Sequence, residues 1–246
     1  MPNEPKTLRL AMWSGPRNIS TALMRSWGNR PDTAVVDEPF YAFYLKITGR
    51  DHPGAMEIMT HCETRVDQII QGLTGPVPRD RPIFYQKQMA HHLLPDVDRG
   101  WLEQVTNCFL IRDPAEVITS YIKRNGEPAL DDLGFVQQAA LFDWVCRHTG
   151  KRPPVIDARD VSQNPEGILR LLCQAVGVEF DQAMLSWPPG PRETDGIWAK
   201  YWYDEVVKST SFQAYHPRNE PVPERLAEVY QRCRECYDRL YQFRLR

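Results

Sequence analysis

Short apolar segments alternate with helical patterns along most of the chain, and this alternation strongly limits the folds available to it. Five apolar segments are predicted to be buried strands because they carry few charged residues; they cover residues 8–12, 33–36, 82–86, 108–111 and 154–156. Helical spacing of apolar residues occurs at 62–73, 113–124, 132–148 and 165–176. This pattern predicts an α/β fold in which helices flank a parallel sheet on both faces as three layers.

Two helix starts and one long final helix are clearly marked. Asp113, Pro114 and Glu116 predict an N-cap, a first-turn proline and a capping box, and Asn164 predicts a second N-cap. A long helix is predicted over 223–243, with an apolar stripe that packs on the body of the protein. We expect one domain over residues 1–246, with a C-terminal helical segment from about residue 188.

Composition excludes several classes of protein. The 30 basic and 32 acidic residues are nearly balanced, so the total charge gives no sign of nucleic-acid binding. The first ten residues do not resemble a signal peptide, and no apolar run approaches the length of a membrane span. We therefore expect a cytoplasmic protein, a possible homo-oligomer, whose six cysteines are free thiols. Cys233 and Cys236 are expected to pack within the final helix.

The first predicted strand leads through a short loop into a helix, in the stretch WSGPRNISTALMRS at residues 13–26. Such a turn presents free backbone N–H groups at the helix N-terminus, where anions bind. Arg17 adds a positive charge, and Ser20 and Thr21 add hydroxyl donors. The loop differs from the usual ATP-binding loop, which requires glycine and lysine at the positions of these two hydroxyl residues. The alternative is a capped helix with a solvated Arg17.

A second segment, FLIRDPAEVITSYIKR at residues 109–124, is another predicted strand, turn and helix, with Arg112 at the strand end and Ser120 eight residues later. The two segments together resemble the P-loop sulfotransferases, which use 3′-phosphoadenosine 5′-phosphosulfate as donor. One family motif, P-[KR]-x-G-[ST]-[ST], matches Pro16, Arg17, Asn18, Ile19, Ser20 and Thr21. The other, R-[ND]-P-x-[DE]-x-x-x-S, matches Arg112 through Ser120, and the resemblance extends over roughly residues 7–187.

The resemblance implies a role for each segment. The first loop would bind the 5′-phosphosulfate, and Arg112 with Ser120 would bind the 3′-phosphate through a charge-assisted contact and a hydroxyl. The product would be adenosine 3′,5′-bisphosphate, and no metal is expected. A donor with phosphates at both ends needs two anion sites, whereas ATP does not, and this argues against a kinase.

The chain departs from the family pattern at several positions. Arg17 replaces the usual lysine, Ile19 replaces a loop glycine, and Ala22 stands where cytosolic members carry an adenine-stacking tryptophan. The adenine clamp must therefore come from elsewhere. A C-terminal loop that holds the nucleotide in cytosolic members has only a weak counterpart at 208–212.

Further candidates follow the second and third predicted strands. Glu38 matches the general base of carbohydrate-type sulfotransferases, and neighbouring aromatic residues favour a raised pKa. The same VVDE stretch also resembles a Walker-B strand end, and a further alternative for the carboxylate is to cap a turn. Lys87 matches a lysine that contacts the bridging oxygen in cytosolic members. Their catalytic histidine is replaced by Met89, but His91 and His92 lie nearby and are either bases or structural residues.

The sequence thus predicts a sulfotransferase acting on a hydroxyl or amine of a small-molecule acceptor, without nucleic-acid or membrane partners. Glu38 or a histidine would take the proton, and Arg17 with Lys87 would stabilise the leaving phosphate. The alternatives are a P-loop kinase-like enzyme and a non-catalytic nucleotide-binding module. The aromatic stretch at 196–207 either lines an acceptor pocket or, as its helical spacing favours, packs as core.

Overall fold

The computed structural model describes residues 7–217 and 220–246. Residues 1–6, on which the expectation of no signal peptide partly rests, lie outside these ranges. Within the described residues one parallel sheet has the order β2-β3-β1-β4-β5. Its strands are β1 Leu8–Ser14, β2 Thr33–Asp37, β3 Ile83–Met89, β4 Thr106–Ile111 and β5 Val155–Asp157. Each strand predicted from the sequence is present.

Helices fill most of the chain between the strands. The α-helices of the described residues are α1 Ser20–Gly28, α2 Tyr41–Thr48, α3 Ala55–His61, α4 Val66–Thr74, α5 Pro114–Asn125, α6 Phe135–Thr149, α7 Ala158–Gln163, α8 Pro165–Val176, α9 Ala199–Trp202 and α10 Ala227–Tyr241. Short 3₁₀ helices cover Pro78–Asp80, Ala90–His92, Gly100–Gln104, Leu130–Leu133, Gln182–Leu185, Val206–Lys208 and Glu224–Leu226.

Successive side chains of β1 point to opposite faces of the sheet, and each face carries a hydrophobic core. Leu10 and Met12 pack with side chains of α1, α7 and α8 on one face. Ala11 and Trp13 pack with α4, α5, α6 and α10 on the other, and all four side chains are fully buried. Because both faces are covered, the strands can be apolar throughout, as the sequence showed. The predicted three-layer α/β fold is confirmed.

Helix ends were predicted less well than helix positions. The helix expected from residue 62 begins at Val66, because Cys62 is extended after α3. Asp113 and Asn164 cap α5 and α8 as predicted. The capping box at Glu116 is wrong, since its carboxylate instead binds Arg112 and Tyr215.

The C-terminal part of the chain differs from the expected helical segment. Its described residues from 188 to 217 and from 220 to 226 are largely irregular, apart from α9 and short 3₁₀ turns. α10 packs its predicted apolar stripe against α5 and α6. The six cysteines are free, and Cys233 and Cys236 both lie within α10. Within the described ranges, no helix has the length and apolar character needed to cross a membrane.

Because the strands are parallel, their carboxyl ends meet at one edge of the sheet. The loop after β1, Glu38 after β2, the 3₁₀ turn after β3 and Arg112 after β4 all follow strands at this edge. Ligands of open α/β sheets bind at this edge, at the point where the strand order reverses; here β3 and β4 lie on opposite sides of β1.

Candidate active site

A cavity of about 510 Å³ opens at the carboxyl edge of the sheet. All of the site residues predicted from the sequence line it: Pro16, Arg17, Asn18, Ile19, Ser20, Thr21, Glu38, Lys87, His91, His92, Arg112 and Ser120. The fold therefore gathers into one cavity residues from four separate segments of the chain.

The loop between β1 and α1 is held in an unusual backbone conformation. Arg17 has a φ of +54°, in the left-handed region that non-glycine residues rarely adopt. Asn18 anchors the loop, since its side-chain amide donates to the Leu110 carbonyl at 3.2 Å and its oxygen accepts from the Ile19 N–H. Gly15 is required here, because a Cβ would lie 2.6 Å from the Leu133 carbonyl oxygen.

The N-terminus of α1 faces the same loop. Among the described residues no side chain caps this helix, which begins at Ser20. Its first-turn N–H groups therefore have no intrahelical partner and can bind an anion. Ser20 and Thr21 both line the cavity. The geometry fits the predicted anion site, whose role remains a prediction.

The two predicted anion sites are in direct contact. Arg17 Nε donates to Ser120 Oγ at 3.0 Å, and Arg112 Nη1 donates to the Arg17 carbonyl at 2.7 Å. Arg112 Nε also donates to Glu116 Oε2 at 3.0 Å, and the Tyr215 hydroxyl donates to the other oxygen of this carboxylate at 2.7 Å. Arg112 therefore holds the loop as well as lining the cavity, a coupling that the sequence did not reveal.

Glu38 lies in a strained turn at the end of β2. Its φ is +39°, and its backbone holds the turn, with its N–H donating to the Lys87 carbonyl and its carbonyl accepting from the Tyr41 N–H. The carboxylate does not cap this turn; it accepts from Lys87 Nζ and is 12% exposed toward the cavity. Strained non-glycine residues cluster at functional sites, which makes Glu38 a candidate for a role in chemistry.

Lys87 is surrounded by three acceptors in the interior. Asp37 stands opposite it in the register of β2 and β3. Lys87 Nζ donates to Asp37 Oδ1 at 2.9 Å, to Tyr203 Oη at 2.8 Å and to Glu38 Oε1. An ammonium has three hydrogens, so these contacts use all of them.

Burial and charge act together on this cluster. Burial raises the pKa of Glu38, the charge of Lys87 opposes the increase, and Asp37 adds to it. Burial alone would lower the pKa of Lys87, but the charges of Asp37 and Glu38 outweigh it and hold that pKa well above its usual value. At neutral pH the site therefore contains a charged lysine beside a carboxylate with an increased affinity for protons.

The two histidines form an aromatic wall of the cavity. Tyr41 and Tyr44 both stack on His92, each with ring centroids 4.7 Å apart. Burial lowers the pKa of His91 to about 3 and that of His92 well below its usual value. Both rings are therefore neutral at physiological pH. Within the described residues Nδ1 of each ring has no hydrogen-bond partner, although His92 Nδ1 lies 3.8 Å from Glu38 Oε2.

Sequence reasoning missed much of the opposite wall. The aromatic stretch at 196–207 serves both predicted roles: Trp198, Trp202 and Tyr203 belong to one core cluster, and Trp202 and Tyr203 also line the cavity. Ser209, Ser211 and Phe212, from the weak counterpart at 208–212, line it as well. In the part of the chain that the structure describes, no three potential metal ligands lie together; the metal-free mechanism stays a prediction.

Comparisons with known proteins agree with this architecture. A family profile described as "Sulfotransferase domain" matches residues 8–230. Branched-chain-amino-acid aminotransferase-like proteins 1 and 2 of Arabidopsis thaliana are 33% and 30% identical over 89% and 92% of the chain. The chain spans only 39% and 40% of their lengths.

A solved structure shares the fold over the full length. The sulfotransferase domain of the Synechococcus PCC 7002 olefin synthase has a TM-score of 0.60 and 17% identity, covering 100% of this chain and 98% of that one. At this identity the likeness shows the fold alone. The family profile covers most of the sequence, and the chain therefore belongs to the sulfotransferase domain family.

Proposed function

We propose that this chain transfers a sulfuryl group from 3′-phosphoadenosine 5′-phosphosulfate to a hydroxyl or amine of a small-molecule acceptor in the cytoplasm. The observation that carries the proposal is that the loop at Arg17 and the carboxylate of Glu38 line the same cavity. Its volume, about 510 Å³, lies in the range of small-molecule sites. Membership of the family supports the same reaction class.

The residues present fit a donor with phosphates at both ends. Arg17, Arg112 and the N-terminus of α1 provide positive charge along the cavity, and Ser120 adds a hydroxyl in contact with Arg17. Anions bind most strongly to such charge-assisted donors. When bound, the donor supplies an electrophilic sulfur and a bisphosphate leaving group.

We assign to Glu38 the role of general base, which takes the proton that the acceptor loses. A buried carboxylate with a raised pKa is better matched to neutral pH than an ordinary one. The lowered pKa values of His91 and His92 make these rings weak bases, which favours Glu38 over them. The histidines would instead contact the acceptor with Tyr41 and Tyr44.

The two cations have different tasks in this proposal. Arg17 would stabilise the charge that develops on the leaving phosphate, an interaction that strengthens in the transition state. Lys87 donates all of its hydrogens within the protein, which favours a role in holding Glu38 over direct contact with the donor.

The test is transfer of radioactive sulfur from labelled donor to a panel of phenols, alcohols and amines, with the bisphosphate product measured in parallel. Glu38→Gln should lower transfer by about a hundredfold or more, whereas Glu166→Gln, at an exposed glutamate on α8, should leave it unchanged. Magnesium-dependent phosphoryl transfer from ATP would support the kinase-like alternative. Tight binding of the bisphosphate with no transfer to any acceptor, in both wild type and Arg17→Lys, would leave only a binding module.

A further inference from the structure

Next to Glu38 lies a closed and almost completely buried polar network. The side chains of Lys87 and Asp37 are 1% and 2% exposed, and the whole of Tyr203 is 5% exposed. The Tyr203 hydroxyl accepts from Lys87 Nζ at 2.8 Å and donates to Asp37 Oδ2 at 2.6 Å. The Gly196 N–H donates to the same oxygen of Asp37 at 3.0 Å. Buried polar groups of this kind are costly unless each is paired, and these three pair with one another.

We propose that Asp37 and Tyr203 are positioning residues, which hold the ammonium of Lys87 and thereby keep Glu38 oriented and basic. The inference rests on the proposed function of Glu38 as the base, and it assigns a role to two residues that are not among the predicted site residues. Neither residue needs to contact donor or acceptor for this role.

The charge balance of the cluster supports the role of Asp37. One cation faces two carboxylates, and Asp37 is the more deeply buried of the two. If Lys87 faced Glu38 alone, the two would form a neutral pair and the carboxylate would be a poor proton acceptor. With Asp37 present, one negative charge is in excess, at the carboxylate that lines the cavity.

Geometry supports the role of Tyr203. It lies just after α9, far along the chain from β2 and β3, yet its hydroxyl bridges Asp37 and Lys87. Trp198 Nε1 also donates to that hydroxyl, at 3.4 Å. Removing the hydroxyl leaves one hydrogen of Lys87 without an acceptor and takes one of the two donors from Asp37 Oδ2, so the ammonium can turn away from Glu38.

The groups that face Glu38 come from every element around it. They are Asp37 from β2, Lys87 from β3, Tyr41 from α2, His92 from the 3₁₀ turn and Tyr203 from the C-terminal segment. His92 is neutral and both tyrosines have raised pKa values, which leaves Asp37 and Lys87 as the neighbours whose charges act on the pKa of Glu38. The pH response of Glu38 therefore depends on these two side chains.

The first test is the pH profile of kcat/KM with labelled donor, whose acidic limb reports the base in the free enzyme. Asp37→Asn removes a negative charge, so the limb should move to lower pH by about one unit or more. Lys87→Met should move it to higher pH, and the double variant should return it toward wild type. If Asp37→Asn leaves the limb in place, the charge argument is wrong.

A direct titration separates this inference from the proposed function. The carboxyl carbon of Glu38 can be followed by ¹³C NMR in the ligand-free protein, with its signal assigned from Glu38→Gln. The same downward shift should occur in Asp37→Asn whether or not sulfuryl transfer is detected. An unchanged Glu38 titration in a folded Asp37→Asn protein would overturn the inference even if the enzyme is active.

The second test addresses Tyr203. Tyr203→Phe should lower kcat by about tenfold or more, with unchanged affinity for adenosine 3′,5′-bisphosphate, because the base is displaced while the anion sites are not. The matched control is Tyr201→Phe on α9. The Tyr201 hydroxyl donates to the exposed Glu57 at 3.4 Å, and Tyr201 does not line the cavity. An equal loss of kcat in both variants would refute the positioning role. A Tyr203→Phe protein that loses nucleotide affinity but keeps its kcat would refute it as well.

Discussion

Removal of the Arg112 guanidinium should abolish the preference of the cavity for adenosine 3′,5′-bisphosphate over 5′-AMP and also weaken the binding of both nucleotides. The side chain is 18% exposed and lines the cavity, so a 3′-phosphate can pair with it. It also donates to the Arg17 carbonyl at 2.7 Å, which holds the loop proposed for the 5′-phosphate. One substitution therefore removes two different interactions.

The two losses have different sizes. A charge-assisted contact with the 3′-phosphate contributes about 1.5–3 kcal/mol, which corresponds to roughly ten- to a hundredfold in affinity and affects only the bisphosphate. The hydrogen bond to the loop carbonyl contributes about 0.5–1.5 kcal/mol, roughly two- to tenfold, and affects both nucleotides. Arg112→Ala should thus weaken the bisphosphate by roughly thirtyfold or more and 5′-AMP by less than about tenfold.

Calorimetry with both nucleotides measures the two changes separately. Arg170→Ala is the matched control, because Arg170 pairs with Glu166 on the exposed face of α8 and does not line the cavity. It should leave both affinities unchanged. Equal affinity of the wild-type protein for the two nucleotides would refute the assignment of Arg112 to the 3′-phosphate, as would a preference that survives in Arg112→Ala.

Three further predictions concern the base, the loop and the fold. Glu38→Gln should retain bisphosphate affinity and lower turnover by about a hundredfold or more, and substitution of the two cavity histidines should have smaller effects; the opposite order in a kinetic assay would move the base to a histidine. Arg17→Ala should lower turnover by more than it weakens product binding, whereas Arg17→Lys should retain activity. Equal losses of turnover and of product affinity in Arg17→Ala would indicate that Arg17 binds ground state and transition state equally well. Asp195→Ala should reduce the free energy of unfolding by about 3–5 kcal/mol, because it leaves the buried Arg25 unpaired, and urea denaturation showing a loss near zero would contradict this.

The fold could be predicted from the sequence because its signals are local. Buried parallel strands are apolar on both faces, so segments such as 108–111 stand out without knowledge of their neighbours. Helix starts were equally visible where a capping side chain precedes a proline, as at Asn164. The Glu116 capping box failed because a partner distant in sequence, Tyr215, and Arg112 compete for its carboxylate.

Each of the two proposed anion sites has its own sequence motif, but the contact between them was not predicted. Each consists of a strand end, a turn and a helix start, and such local units leave a motif in the sequence. The hydrogen bonds from Arg112 to the loop and from Arg17 to Ser120 exist because β1 and β4 are neighbours in the sheet. The order of strands in a sheet depends on packing between distant segments, and no local motif records it.

The C-terminal segment shows most clearly what local patterns leave out. Two of its tyrosines bind carboxylates beside opposite parts of the cavity: Tyr203 binds Asp37 next to the proposed base, and Tyr215 binds Glu116 next to Arg112. Neither tyrosine belongs to a sequence motif, and the role of each becomes visible only through its hydrogen bond to a residue far away in the chain. Because the segment contacts both parts, the proposed anion sites and the proposed base are tied to a common wall. In the proposed reaction, folding of this segment against the sheet would position the groups around donor and acceptor together, which would explain how a chain whose motifs end before residue 188 can still depend on the residues that follow.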